Sequence, residues 1–242
     1  MARKTKQEAL ETREKLLDAA EQLFLRQGVS GTSLQQIADE AQLTRGAVYW
    51  HFKDKAELFD AMMQRGTMPL EQGVRIDPAA AARDEPLTLL QLRWNLANVF
   101  WSAANNARTR RVFEIAMQKV EYAGEMLGLH ERKRAVRRGW LEENRGAIAH
   151  AIDEGLLPAG VDADRAALTL MSLVDGLLHQ WIYEPGSFDL VAVGTRAVED
   201  FFTSLARDLG PCLLPPMTTN ELARLGQAGT CCGGGNDAPA ED

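Results

Sequence analysis

The sequence predicts an all-α protein, and three observations support that fold class. Apolar residues recur at three- and four-residue spacing from near the N-terminus to about residue 210, as amphipathic helices require. No segment alternates apolar and polar residues convincingly, so half-buried strands are not expected. Capping residues such as Ser, Thr and Asp precede several of the periodic segments, and Gly or Pro follows them.

The first helix is predicted from Lys6 to Gln27. Thr5 and Glu8 stand three residues apart and can form a capping box at its start, and Gly28 follows its last turn. Its apolar stripe should cover the core formed with the next helices; the stripe consists of Leu16, Leu17, Ala20, Leu23 and Phe24.

The segment Thr32–Lys55 is typical of two short helices that meet at a tight turn and are followed by a third. Either Thr32 or Ser33 can cap the first of these helices, and Gln35 or Gln36 can complete a capping box. The inward stripe of this helix is expected to consist of Ile37, Ala38 and Ala41.

The second short helix has two distinct faces. Thr44 is a good N-cap for it, and Val48 and Phe52, four residues apart, should face inward. Arg45 and Tyr49 are also four apart and share the opposite, outward face.

The outward face suits a helix that enters the major groove of DNA. Gly46 and Ala47 carry almost no side chain, so the helix can approach the bases closely. Arginine pairs bidentately with guanine, and small apolar side chains lie against thymine methyl groups. Asp54 should cap the third helix with Glu57 as its partner, and Lys55 at its start is a candidate phosphate anchor.

These residues carry a family resemblance. The run Thr-Arg-Gly-Ala-Val-Tyr-Trp-His-Phe-Lys-Asp-Lys, residues 44–55, closely resembles the DNA-binding segment of TetR-type repressors, and most of all the AcrR-like branch that controls multidrug efflux pumps. One departure is Gln42, which stands where the family usually has glycine in the turn. If the backbone there is left-handed, a non-glycine residue costs about 1–2 kcal/mol.

The resemblance implies a three-helix DNA-binding domain at residues 1–56 and a larger helical bundle for ligand binding and dimerisation at residues 57–210. The tail, residues 211–242, is rich in Gly and Pro and is expected to be disordered, apart from one helical turn near Glu221 to Leu225. In the body, a loop is expected at Asp77–Pro86. The predicted helices are 56–73, Leu87–Asn105, Thr109–Gln118, Lys119–Glu154, one that opens at Asp162 or Asp164 and ends before Pro185, and Leu190–Leu209.

The last two predicted helices have wide apolar faces, which are ordinary core or complete a bundle with a second copy of the chain. The resemblance favours a homodimer through these helices. A pair of recognition helices in successive major grooves also requires two copies, about 34–36 Å apart.

The resemblance also implies how the DNA would be contacted. Arg45 should read a base, with Gly46 and Ala47 allowing close approach. Trp50 is expected to contact DNA or to pack against the first helix, and Gln35 is included in the interface. The expected phosphate contacts are Thr32, Ser33, Thr44, Tyr49, His51 and Lys55.

Aromatic and methionine side chains in the second half are candidates for a ligand cavity that takes small hydrophobic or cationic drug-like inducers. The alternative is that they form ordinary core. These candidates are Trp94, Phe100, Trp101, Phe113, Met117, Tyr122, Trp140, Met171 and Trp181. Glu114 and Asp175 would select cationic ligands, unless they pair with Arg110, Arg111 or a backbone donor.

Composition restricts the remaining possibilities. The net charge of −7 is unlike that of a nucleic-acid binder, but residues 1–65 carry ten Lys or Arg and ten Asp or Glu, so the acidic excess lies beyond them. No apolar run resembles a membrane span or a signal peptide, and the three cysteines near the end suit a reduced cytoplasm. No catalytic motif, cofactor motif or metal spacing occurs, so an enzyme is not expected.

The predicted function is a repressor of a multidrug efflux operon that drug-like ligands release from its operator DNA. Three alternatives remain open at this point. The chain could regulate an unrelated operon on the same scaffold. It could use Cys231 and Cys232 as a redox sensor. It could be an enzyme or a drug-sequestering protein with a vestigial helix–turn–helix.

Overall fold

The fold is described by a computed structural model that covers residues 6–73, 87–121, 127–206 and 217–225. Within these ranges the chain forms helices and no strand, which confirms the all-α prediction. The helices are α1 Lys6–Gln27, α2 Leu34–Glu40, α3 Arg45–His51, α4 Lys55–Gly73, α5 Leu89–Asn105, α6 Ala107–Gln118, α7 Leu127–Asp153, α8 Ala163–Tyr183, α9 Leu190–Leu205 and α10 Thr219–Ala223.

Most helix boundaries follow from local capping. α5 starts two residues later than predicted because the Thr88 side chain accepts from the Gln91 amide. α6 starts earlier than predicted because the Asn106 side chain accepts two amide N–H groups of its first turn. Asp162, rather than Asp164, caps α8.

Two predicted boundaries are wrong or reach beyond the described residues. The long helix α7 begins at Leu127 and not at Lys119, because Lys119 is the C-cap of α6 and its backbone is no longer helical. α9 ends at Leu205, and residues 207–209 of its predicted extent lie outside the described ranges. The loop predicted at Asp77–Pro86 and the capping residue Thr5 also lie outside them.

A first hydrophobic core lies inside α1 to α4. The predicted stripe of α1 is buried there, together with Ile37 of α2, Val48 of α3 and the α4 residues Leu58 and Met62. Phe52, which follows α3, is also buried. The aliphatic and aromatic area removed from water therefore fixes the two short helices, which are too short to be stable alone.

A second core lies between α5, α7, α8 and α9. Phe100 of α5 and Phe202 of α9 are fully buried in it. α5 and α9 approach each other closely at Gly194, where an added Cβ would lie 2.5–2.8 Å from three ring carbons of Phe100. Glycine is thus a packing requirement at this position.

Helix α6 belongs to both cores. Val112 and Ile115 are buried in the first core, whereas Phe113 is buried in the second and Met117 packs against it. Gly66 of α4 lies against Val112 so closely that an added Cβ would be 2.6 Å from a Val112 methyl carbon. The two faces of one helix therefore tie the N-terminal unit to the body.

The C-terminal segment, residues 217–225, packs back onto the body. Met217 and Leu225 are buried with Ala97 of α5, and Trp94 and Trp101 pack against them. α10 supplies the helical turn that the sequence predicts near Glu221, but the turn is anchored by tertiary contacts. The rest of the tail lies outside the described residues.

Among the described helices, none combines the length and the apolar character needed to cross a bilayer.

Candidate nucleic-acid interface

The start of α2 is held by a reciprocal cap. Of the predicted alternatives, Ser33 and Gln36 form it. The Ser33 hydroxyl accepts from the Gln36 backbone amide at 3.2 Å, and the side-chain oxygen Oε1 of Gln36 accepts from the Ser33 backbone amide at 2.8 Å. Gln35 lies exposed beside them, with its side-chain amide 2.7 Å from Asp39.

The turn between α2 and α3 contains a left-handed residue that is not glycine. Gln42 has a φ of 56°, and among the described residues it is the only non-glycine residue with positive φ. Its amide donates to Asp39 O at 3.0 Å, and the Leu43 amide donates to Ala38 O at 2.8 Å, as in a Schellman motif. The motif sets the angle between the two helices, at a cost of about 1–2 kcal/mol from the Gln42 backbone.

The cap and the inward face of α3 agree with the prediction. Thr44 Oγ1 accepts from the Ala47 amide at 3.2 Å. Val48 and Phe52 are buried in the first core. These contacts fix the rotation of α3, and its opposite face is turned to solvent.

On that outward face, Arg45 and Tyr49 form a preorganised pair. Arg45 Nη2 donates to the Tyr49 hydroxyl at 3.1 Å, and the guanidinium carbon is 5.5 Å from the Tyr49 ring centroid. Both residues are exposed, and Arg45 forms no salt bridge with any described carboxylate. Its charge is therefore available to a partner while the pair restricts its rotamers.

Gly46 does not owe its small size to the fold. A Cβ added at Gly46 would meet only Thr44 Oγ1, at an ordinary 3.8 Å. Glycine destabilises a helix by about 1 kcal/mol relative to alanine. Because a Cβ would fit at this position, packing within the protein does not explain why glycine is present. The free space faces outward, where another molecule can approach the backbone.

Trp50 and His51 extend the exposed surface at the end of α3. Trp50 is 70% exposed, so it does not pack against α1, which was one of the two roles predicted for it. Its ring meets His51 edge-on, with ring centroids 4.4 Å apart.

Two residues predicted to hold phosphates are directed inward instead. Lys55 is only 5% exposed, and its ammonium donates to Val29 O at 3.0 Å and to Thr32 O at 2.9 Å. Thr32 is 1% exposed, and its hydroxyl donates to Gly28 O at 2.7 Å. The Lys55 side chain joins the α1–α2 connection to α4, whereas the Thr32 hydroxyl bonds within that connection, because buried donors bind the nearest free carbonyl groups. The prediction of exposed phosphate anchors at these side chains is therefore corrected.

A surface concavity of about 360 Å³ lies between the α1–α2 connection, the start of α2 and α3. Ser33, Arg45 and Tyr49 are among the residues that line it. Hydroxyl groups and a guanidinium are the usual protein contacts of a DNA phosphate. The concavity is therefore suited to a backbone phosphate beside the groove that α3 would enter.

A group of ion pairs joins α1 to α4 and α6. We call it the ion cluster; its members are Glu14, Asp18, Glu21, Arg65, Arg108 and Arg111. At its centre, the buried Glu21 carboxylate accepts from Arg111 Nε at 2.6 Å and from Arg65 Nη2 at 3.0 Å.

The ionisation of Arg65 reflects the cluster. Burial alone would lower its pKa, but the hydrogen bond to Glu14 and the charges of Asp18, Glu14 and Glu21 outweigh burial and raise the pKa above its usual value. Arg65 therefore stays charged, and the pairs persist through the physiological pH range.

A backbone contact adds a second joint between the N-terminal unit and the body. The Val29 amide, just after α1, donates to the carbonyl oxygen of Lys119 at 2.9 Å. Lys119 caps α6, so a movement of α6 along its axis acts directly on the connection between α1 and α2.

The predicted ligand residues do not converge on one described cavity. Phe100, Phe113 and Met171 are buried, and Met117 and Trp140 are half-buried against the second core. Trp94 and Trp101 contact the C-terminal segment, and Trp101 lines a cavity of about 640 Å³. Glu114 is half-buried, and Tyr122 lies outside the described residues.

The Asp175 carboxylate is paired with an arginine, as one of its two predicted roles required, but the arginine is not one of those predicted. Arg137 Nη1 of α7 donates to its carboxylate at 2.7 Å near the surface. Arg111, one of the predicted partners, is instead engaged by Glu21.

Comparison with known proteins agrees with this architecture. Residues 16–62 match the model of bacterial regulatory proteins of the tetR family, and residues 85–206 match that of the MAATS-type transcriptional repressor, C-terminal region. The chain belongs to the TetR family. Members are transcriptional regulators that bind operator DNA and dimerise, so these are properties of this TetR-family chain as well.

Three relatives illustrate the similarity. The HTH-type transcriptional regulator AcrR of Shigella flexneri is 39% identical over 190 residues, which cover 78% of this chain and 87% of the relative. The structure of NalD, the secondary repressor of the MexAB-OprM multidrug efflux pump in Pseudomonas aeruginosa, is 35% identical with a TM-score of 0.72, covering 83% of this chain and 99% of NalD. SmeT, the repressor of the multidrug efflux pump SmeDEF of Stenotrophomonas maltophilia, is 31% identical with a TM-score of 0.69, covering 85% of this chain and 94% of SmeT.

Sequence reasoning missed the residues that couple the two halves of this TetR-family chain. Glu14, Asp18 and Glu21 recur at helical spacing on α1 and could have been recognised as one acidic face. Arg65 and Arg108 come from distant segments, and no sequence pattern predicts that they contact the acidic face of α1.

Proposed function

We propose that this chain is a homodimeric repressor of a multidrug efflux operon, released from its operator by hydrophobic or cationic drug-like ligands. The outward face of α3 supports DNA binding, because it combines an exposed arginine with small neighbours. The named functions of NalD and SmeT support the efflux target, since both are described as repressors of multidrug efflux pumps.

In the proposed complex, α3 lies in the major groove. Arg45 pairs bidentately with guanine, and Gly46 and Ala47 let the helix backbone approach the base edges. Tyr49 releases the Arg45 guanidinium to the base and turns its own hydroxyl to a phosphate.

The remaining proposed contacts position the helix on the phosphate backbone. Ser33 caps α2 and Thr44 caps α3, and both residues are exposed. Trp50 and His51 lie where the chain leaves the groove, and Gln35 is exposed on α2. The side chains of Thr32 and Lys55 support this surface from behind.

The proposed dimer forms through α8 and α9. The exposed side of α8 contains few charges, and Leu173 and Leu177 lie half-buried at its edge. Its exposed members are Asp164, Arg165, Leu168, Thr169, Ser172, Gly176, His179, Gln180 and Tyr183, so the charges are confined to its first turn. A largely uncharged, partly apolar face of this kind is what a two-fold symmetric four-helix interface buries.

Induction requires that a ligand in the body prefer one of two conformers. α6 is the proposed lever, because it packs into both cores and ends at the Lys119 carbonyl that holds Val29. A ligand that shifts α6 would move the ion cluster on α1 and change the spacing of the two α3 helices. A tenfold loss of operator affinity needs about 1.4 kcal/mol of differential binding.

The observation that carries the proposal is the exposed Arg45–Tyr49 pair. Operator binding is to be measured by anisotropy, with duplexes from the region upstream of the gene and of neighbouring transporter genes. Arg45→Ala should cost about 1–3 kcal/mol and relax sequence preference. The matched control is Arg134→Ala, which removes an exposed arginine of α7 that is paired only with Glu131.

Two outcomes would count against the proposal. Equal losses in both arginine variants would mean that Arg45 makes no base contact. A dimer that binds operator normally but keeps its affinity in the presence of bound drug would contradict induction by that compound.

A further inference from the structure

The C-terminal segment closes one side of a cavity of about 640 Å³. The cavity lies between the end of α5, the α8–α9 connection and α9. Trp101, Trp181 and Phe188 contribute aromatic surface to its wall, and Met217 contributes apolar surface from the C-terminal segment. A cavity of this size is within the range of small-molecule sites.

The wall that the segment forms is anchored by charge as well as by apolar contact. Arg93, almost fully buried on α5, donates to Glu221 of α10 at 3.2 Å and lies 3.7 Å from the Glu199 carboxylate of α9. The Met217 amide donates to the same Glu199 oxygen at 3.2 Å. With Leu225 buried at the far end of the segment, both ends of this wall are fixed.

Thr195 is the unexplained group of the cavity. It lines the cavity, is 8% exposed, and its hydroxyl oxygen has no hydrogen-bond partner within the described residues. A buried hydroxyl without a partner is uncommon in native proteins. Threonine in a helix can take either of two rotamers, so its hydroxyl can turn to meet a molecule in the cavity.

We propose that this cavity is a second ligand site that takes a compact, uncharged molecule with an aromatic body and a hydroxyl group. The aromatic wall holds the ring, and Thr195 Oγ1 accepts from the ligand's hydroxyl. The Glu199 charge is already offset by Arg93, so the site has little attraction for a cation. Of the aromatic and methionine candidates named from the sequence, Trp101 and Trp181 line this cavity among those described.

The site does not depend on DNA binding or on an efflux target, so it is tested by direct binding to the full-length protein. The probe is 2-naphthol, with 2-methoxynaphthalene as a partner that lacks the donor and naphthylmethylammonium as a cationic partner. Titration calorimetry should give 2-naphthol an affinity at least threefold higher than either partner. Equal affinities, or preference for the cation, would overturn the proposal.

Thr195→Val removes the hydroxyl and keeps the side-chain shape. It should weaken 2-naphthol binding about three- to tenfold, the usual range for one hydrogen bond, and leave 2-methoxynaphthalene unchanged. It should also raise the melting temperature of the free protein, because the unpaired buried hydroxyl is gone. Unchanged 2-naphthol binding in this variant would refute the role of Thr195.

Two further pairs of variants locate the probe. Ala192→Trp fills the cavity from an exposed position on α9 and should reduce binding of both neutral probes at least tenfold, whereas Ala159→Trp, at an exposed position outside the cavity, should not. Leu225→Ser should release the segment and weaken both probes, whereas Arg224→Ser, at an exposed neighbour, should not. Binding that survives Ala192→Trp and Leu225→Ser would place the probe elsewhere and overturn the inference.

Discussion

Glu21 Oε1 lies 2.6 Å from Arg111 Nε, which joins the buried middle of α1 to α6 by a charge-assisted hydrogen bond. The second carboxylate oxygen accepts from Arg65 of α4 at 3.0 Å. Three helices thus meet at one carboxylate, and the contact joins the N-terminal helices to α6.

Replacing Glu21 by Gln should therefore destabilise the protein. Gln keeps the volume but removes the charge, and the arginines around it lose their best acceptor. We expect a loss of about 1–3 kcal/mol in the free energy of unfolding, measured with urea. Glu40→Gln, which breaks the exposed pair with Arg26, should cost no more than about 0.5 kcal/mol. Equal losses in the free energy of unfolding for the two variants would show that the ion cluster is solvated and stabilises the fold no more than an exposed pair does.

Gln42→Gly should stabilise the turn between α2 and α3. The left-handed φ of 56° strains any residue with a Cβ, and the gain is expected to be about 1 kcal/mol after the larger unfolded-state entropy of glycine is subtracted. Thermal and chemical unfolding measure it. Gln42→Ala is the control, because alanine keeps the Cβ and should give no gain. A less stable glycine variant would mean that the Gln42 side chain has a stabilising role.

Gly46→Leu should change stability and DNA binding in opposite directions. Leucine favours the helix by about 0.5–1 kcal/mol, and the space around Gly46 accepts a Cβ without a clash. The same side chain would keep α3 from the base edges, so operator affinity should fall at least tenfold, or by 1.4 kcal/mol. Calorimetric unfolding and anisotropy test the two effects. Retained affinity would show that α3 does not approach the bases at this point.

Lys55→Met should destabilise the fold and leave the salt dependence of DNA binding unaltered. Two carbonyl groups, Val29 O and Thr32 O, lose their buried donor, at a cost of about 2–3 kcal/mol. A true phosphate contact would instead lower the slope of log affinity against log salt by about 0.9. Lys15→Met, at an exposed position of α1, is the stability control. A lowered slope with unchanged stability would restore Lys55 as a phosphate anchor.

Gly66→Ala should cost about 1–2 kcal/mol despite the higher helix propensity of alanine. Its Cβ would meet three carbon atoms of Val112 at 2.6–2.9 Å, and the α4–α6 contact would have to open. In a Val112→Ala background, the same change should become neutral or stabilising, since the obstructing methyl groups are absent. A double-mutant cycle in urea measures this reversal. Additive changes in the free energy of unfolding for Gly66→Ala and Val112→Ala would contradict the close approach of these two residues.

The sequence predicted the parts of the structure that local chemistry determines. The full extent of α1, the cap at Thr44 and the two faces of α3 follow from residues within four positions of one another. The left-handed backbone of Gln42 was raised only as a condition, and on the resemblance alone, because the family usually has glycine at that position.

Long-range contacts account for most of what was not predicted. The acceptors of Lys55 lie 23 and 26 residues away in the chain, so its position after a cap indicated a surface anchor, whereas the fold buries it. The Phe100 ring packs against Gly194, almost a hundred residues distant in the chain. The start of α7 was misplaced because helical periodicity continues through Lys119, although the backbone does not.

The arrangement of α6 has a consequence for anyone who wishes to dissect the molecule. A fragment that stops after α4 would carry all the DNA-reading side chains but would lack Val112 and Ile115, which fill its interior from beyond the cut. Such a fragment would expose to water the part of the first core that these two side chains cover. An isolated DNA-binding domain made from this chain would have to include α6 or a redesigned helix in its place.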